Sequence, residues 1–154
     1  MNPKLFEEID IDIESMVIIV TEIDNLITEV GNNMPTNVQK TALGGFVAQF
    51  YNGIENILKR IHKHFNIELP KGEDWHISLL DRFSTNTNTE FPMKLSNDLI
   101  EKITDYRRFR HYFFHGYSHN LNWEILKNGV SDINEVLSQF IEEITENEHK
   151  LINK

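Results

Sequence analysis

The apolar positions of this chain fall at helical spacing almost from end to end. From about Leu5 to Val30, the residues Phe6, Ile9, Ile13, Met16, Val20, Ile23, Ile27 and Val30 recur at intervals of three and four. Such a heptad seam needs a helical partner, and the acids around it form its wet face. Gly31-Asn32-Asn33 ends the stretch with C-cap chemistry. A second helix is predicted behind Thr36, which with Gln39 makes a capping-box pattern. Its stripe is Leu43, Phe46, Val47, Phe50, Ile54, Ile57, Leu58, Ile61 and Phe65. Gly44, Gly45 and Gly53 weaken helix propensity there and are read as points of close packing.

Asn66 to Gly72, with Pro70, reads as a turn. A short helix then starts near Asp74 and runs to Phe83. Trp75, Leu79 and Phe83 are expected to plug the bundle end, and His76 to be structural or exposed. Ser84 to Glu90 is a polar loop. Ser96 suits an N-cap, and Leu99, Ile100, Ile103, Tyr106, Phe109 and Phe113 carry the apolar face of the helix it opens. Asn122 restarts a short helical turn at Trp123, and Asn128-Gly129 punctuates it. Ser131 is the expected cap of a last helix with Ile133, Val136, Leu137, Phe140, Ile141 and Ile144 inside. The pattern predicts an all-α, up-and-down bundle of four main helices plus a short extra one, in a single domain spanning 1–154.

Composition changes this picture little. Hydrophobic residues are 40% and charged residues 25% of the chain, the balance of a globular domain. The longest apolar run, Met16 to Val20, is far too short to span a bilayer, so no membrane partner is expected. The acidic N-terminus does not read as a signal peptide. Cysteine is absent, which removes disulfides and thiolate chemistry and fits a cytoplasmic location.

Charge matters more through its distribution than through its sum. A net charge of −9 argues against a nucleic-acid partner. Yet the acids crowd residues 1–30 and 131–154, while Lys59-Arg60-Ile61-His62-Lys63 and the segment 107–119 are basic. A local cationic cleft can hold RNA on an acidic protein. The bland reading of 59–64 is that cations near a helix C-terminus complement its dipole.

Candidate chemistry concentrates in 106–119. On an ideal helix, Tyr106, Phe109, Phe113 and Tyr117 share the expected core side, and Phe114 is also read as core rather than as a base platform. Arg107, Arg108, His111, His115 and His119 share the other side, with Arg110 at the border, roughly 140° from His115. On one straight helix Arg110 and His115 do not converge. Either the helix bends or ends near Gly116, or Arg110 reaches around, or a second subunit supplies part of the site. An imidazole near its titration point can move a proton, and a guanidinium grips phosphate oxygens. His115 could therefore serve the 2′-hydroxyl or the leaving oxygen, and Arg110 the charge that develops on phosphorus. Arg107 and Arg108 could hold the backbone. The same row also reads as a solvated face, or as a metal site through His111, His115 and His119.

Arg110-x4-His115-x-Tyr117 resembles the signature of the HEPN superfamily, in particular HepT-like ribonuclease toxins. Four blocks extend the likeness in order over roughly 40–150: Phe50 to Leu58, Leu69 to His76, Arg108 to Tyr117, and Leu121 to Glu124. The resemblance implies a homodimeric helical domain of a type VII toxin–antitoxin module. It implies a metal-independent RNase without a cofactor, acting on tRNA or mRNA, with Arg110 and His115 catalytic and His111 in support. Tyr117 is then the residue that a nucleotidyltransferase (MNT-type) antitoxin modifies with AMP. The competing expectation is a non-catalytic helical module that binds a nucleotidyltransferase or another protein.

Overall fold

The computed structural model describes residues 3–86, 91–117 and 120–153. Five helices follow one another: α1 (Pro3–Val30), α2 (Asn37–His64), α3 (Trp75–Asp81), α4 (Asn97–His115) and α5 (Trp123–Ile152). Among the described residues the only β pairing is an isolated bridge between Ser84 and Leu95. The fold is the all-α bundle expected, with α3 as the short extra helix. No described helix is long and apolar enough to cross a membrane.

The heptad seam of α1 finds its partner in α2. Ile9, Met16, Val20, Ile23 and Val30 are buried along it. Gly53 on α2 makes the approach possible, because a Cβ there would lie 2.5 Å from the Met16 side chain. Gly44 does the same for Phe113 of α4, at 2.6 Å. Gly45 faces open space, so its expected packing role is absent. The Thr36–Gln39 capping box forms in full. Ser96 caps α4 through the Leu99 amide.

Two expectations about helix ends are corrected. α5 runs unbroken through Asn128-Gly129, and Asn122, not Ser131, caps it. The Ser131 hydroxyl donates back to the Lys127 carbonyl inside the helix. A mid-helix glycine costs about 1 kcal/mol. Leu126 and Val130 are buried on either side of it, and the Tyr106 hydroxyl donates to the Gly129 carbonyl at 2.6 Å. Tertiary packing thus outweighs local propensity. At the other end of the bundle, Leu79 and Phe83 are buried and Trp75 packs against the core, as the plug reading required.

Candidate functional site

α4 ends at His115, with Gly116 in extended backbone as its C-cap. That stop decides where the signature residues lie. Tyr117, expected on the core side, leaves the helical register and is 75% exposed. Phe114, also expected inside, is 61% exposed, because only Phe113 of that pair reaches the cleft over Gly44. His119 and the remainder of the loop at 87–90 lie outside the described residues.

Arg110 sits at the edge of the core-facing side of α4, against α2. Its guanidinium carbon is 6.0 Å from the centre of the Tyr51 ring and 5.5 Å from that of Phe114. Its Nε is buried without a hydrogen-bond partner. Among the described residues neither Arg110 nor Arg107 has an ion-pair partner. His111 and His115 stand one turn apart, with ring centres 4.3 Å from each other. The fold therefore brings Arg110 to Phe114 and His111 to His115, while Arg110 and His115 stay about 140° apart around α4.

Beneath Arg110 lies a cluster that periodicity alone did not single out. Glu55 is only 6% exposed. Its carboxylate meets His76 Nδ1 at 2.7 Å and Lys59 Nζ at 3.2 Å. Burial, and after it the Glu55 carboxylate, push the Tyr51 phenol above its ordinary value, with the Arg107 and Arg110 cations pulling the other way. Tyr51 is therefore a neutral hydroxyl between a carboxylate and two guanidinium groups. The signal was present in the sequence: Tyr51, Glu55, Leu58 and His62 repeat at four, three and four, all buried. A carboxylate inside an apolar stripe marks a paired, purposeful charge.

Much of the basic end of α2 is taken up by structure. Lys59 is held by Glu55 and lies 4.5 Å from the Trp75 ring centre. Arg60 pairs with Glu8 and Asp12 of α1. His62 is fully buried, with Nδ1 2.8 Å from the Leu58 carbonyl, and burial lowers its pKa. Arg108 points away from Arg110, into a groove of about 470 Å³ between α4 and α5. There it lies 3.7 Å from Asp105. A smaller cavity of about 210 Å³ opens beside the motif, lined by Tyr112, Phe113, His115, Gly116, Tyr117, Asn120 and Leu121. Among the described residues no group of three or more His, Cys, Asp or Glu side chains converges to hold a metal.

No curated protein and no solved structure matches this chain. A family model described as HepT-like protein matches residues 42–151, which take in α3, α4, most of α2 and nearly all of α5, and so every residue of the site just described. The chain belongs to the HepT-like proteins, within the HEPN/HepT-like toxin group.

Proposed function

We propose that this chain is the ribonuclease toxin of a HEPN/MNT toxin–antitoxin pair, with Arg110 and His115 as its catalytic residues. The observation that carries this reading is the pairing state of the cations. Among the described residues Arg107 and Arg110 stand without carboxylate partners, on the same helix as the exposed imidazoles of His111 and His115, in a protein of net charge −9 that pairs Lys59, Arg60, Lys102 and Arg108 with acids. Unpaired guanidinium groups beside imidazoles suit a phosphodiester.

The chemistry needs no metal. The substrate 2′-hydroxyl attacks the adjacent phosphorus, a new P–O2′ bond forms and the P–O5′ bond breaks. His115 takes the hydroxyl proton or supplies one to the leaving oxygen, and Arg110 stabilises the charge on the phosphorane-like transition state. Arg107, with Arg108 and His111 in support, holds neighbouring phosphates. The Tyr51 ring backs the Arg110 guanidinium at 6.0 Å, and the buried Glu55 lies against Tyr51. In a homodimer each cleft draws Arg110 from one copy and His115 from the other, which resolves their separation around α4.

Tyr117 is the acceptor for AMP from a nucleotidyltransferase antitoxin. Its phenolic oxygen attacks the α-phosphorus of ATP, pyrophosphate leaves, and the phenolic proton passes to solvent. Its exposure suits a modification target, and a new phosphate beside His115 would bring bulk and negative charge that oppose RNA entry. The test is RNA cleavage and growth inhibition by Arg110→Ala and His115→Ala. Each should lose activity at least a hundredfold while keeping the helical content of the parent. Cleavage undiminished in both would overturn the catalytic assignment, and no cleavage by any unmodified form would leave the non-catalytic, partner-binding module as the better description.

A further inference from the structure

We infer that the groove between α4 and α5 is a binding site for a small aliphatic amine, an ammonium group carried on a hydrocarbon stem. The site does not depend on the ribonuclease reading above.

The groove encloses about 470 Å³, a volume in the range of small-molecule sites. Tyr106, Phe109 and Tyr112 of α4 and Ile125 and Val136 of α5 form its apolar walls. From Asp105 to Tyr112 it follows α4 for about 10 Å, the length of a short alkyl stem. Gly129 lines it from the middle of α5. A glycine inside a helix costs stability, and no neighbour requires this one. A Cβ there would meet only Tyr106 Cε1 within 4 Å, at the ordinary contact distance of 3.7 Å. What the missing methyl provides is room in the groove.

The polar groups around this space decide what it accepts. Both hydroxyls on its walls are already used. Tyr106 donates to the Gly129 carbonyl, and Tyr112 donates to the Asn120 carbonyl and accepts from the Asn122 amide. Both cations are held as well. Lys102 lies against Asp98 and Glu135 and donates to the Gln139 side chain at 3.0 Å, and Arg108 lies 3.7 Å from Asp105. An anion entering the groove would have to displace one of these pairs. Asp132 is different, because it has no ion-pair partner among the described residues. Burial first, and then the fields of Asp132 and Asp105, push the Tyr106 phenol above its ordinary value, so both carboxylates bear on the aromatic floor. Carboxylate is thus in excess beside aromatic faces that attract a cation. The ammonium meets Asp132 and Asp105 above Tyr106, and the stem lies along Phe109, Ile125 and Val136. A neutral apolar ligand would leave Asp132 unmatched.

The experiment titrates the intact protein by calorimetry at pH 7 and one salt concentration, with n-hexylamine, n-hexanol and hexanoate. Hexylamine should bind about fivefold tighter than hexanol, and hexanoate more weakly than either. Asp132→Asn should bring hexylamine down to the affinity of hexanol and leave hexanol unchanged. Gly129→Ala should weaken both by about tenfold, because its methyl fills the groove. The same variant should melt at a higher temperature than the parent, which separates a blocked groove from a damaged fold. No saturable binding of hexylamine overturns the site, and so does hexanoate binding as tightly as hexylamine. Unchanged hexylamine affinity in Asp132→Asn or in Gly129→Ala overturns it too. Binding that appears only as dilution separates two copies assigns the groove to a contact between them and overturns the inference. Tighter binding of acetyl-lysine amide than of hexylamine assigns it to a lysine of a protein partner, with the same consequence.

Discussion

The two flanks of α4 carry similar residues and treat them in opposite ways. On the flank facing α5, Lys102 lies 3.1 Å from Asp98 and 3.5 Å from Glu135, and Arg108 lies 3.7 Å from Asp105. On the flank facing α2, Arg107 and Arg110 have no such partners among the described residues, and Glu55, on the far side of Tyr51, already serves His76 and Lys59. Exposed ion pairs contribute little to stability, so neither arrangement is needed for folding. The larger groove, between α4 and α5, has its cations neutralised, whereas the narrower flank keeps cationic capacity for an outside anion. Unpaired chemistry is thus a better guide to the site than cavity size.

Removing the candidate catalytic pair, which spans the two flanks, should have the largest effects. Arg110→Ala and His115→Ala are expected to cost at least a hundredfold in RNA cleavage with little change in thermal midpoint. Next comes the carboxylate beneath. Glu55→Gln strands Lys59 and His76, and should destabilise the fold by about 1.5–3 kcal/mol in denaturant titrations. It should also slow cleavage by loosening Tyr51 under Arg110. Arg107→Ala set beside Arg108→Ala probes the two flanks directly. Losing one phosphate contact at Arg107 should flatten the salt dependence of RNA binding by about 0.7 in log–log slope. Arg108→Ala should change that slope less, because Asp105 already neutralises it.

The smallest expected effect is far from either flank. Burial, with the Asp10 carboxylate in addition, raises the Glu148 pKa to about 6. A carboxyl whose folded pKa is raised opposes folding in its charged form. The penalty is absent below the ordinary range near 4.5, grows between there and about 6, and is full above. Glu148→Gln should therefore add about 0.5–1 kcal/mol at pH 7, with the surrounding water screening the rest, and nothing at pH 4. Urea titrations at the two pH values would show it.

Much of the fold was legible because it rests on repeated apolar spacing. The α1 seam, the Thr36 and Ser96 caps and the α3 plug follow from residues whose roles are local. Asn128-Gly129 misled because its local cost is overcome by Tyr106, which comes from a helix more than twenty residues earlier. The site was legible in composition and less so in placement. Periodicity extended α4 past Gly116 and so put Tyr117 inside, and Phe114 was grouped with the core aromatics by its residue type, when helix termination and the single glycine gap at Gly44 leave both outside. Glu55 stood in a block of resemblance without a role, since its meaning depends on His76, which comes from another helix.

Mixing two variants tests the catalytic pair and the shared cleft together. Arg110→Ala and His115→Ala proteins are assayed for RNA cleavage alone, then after being unfolded and refolded together. Each should be silent alone and the mixture should cut, because a mixed dimer holds one cleft with Arg110 from one copy and His115 from the other. Cleavage by either variant alone at the parental rate would contradict the assignment of the chemistry to this pair. A mixture as silent as its components would contradict the shared cleft.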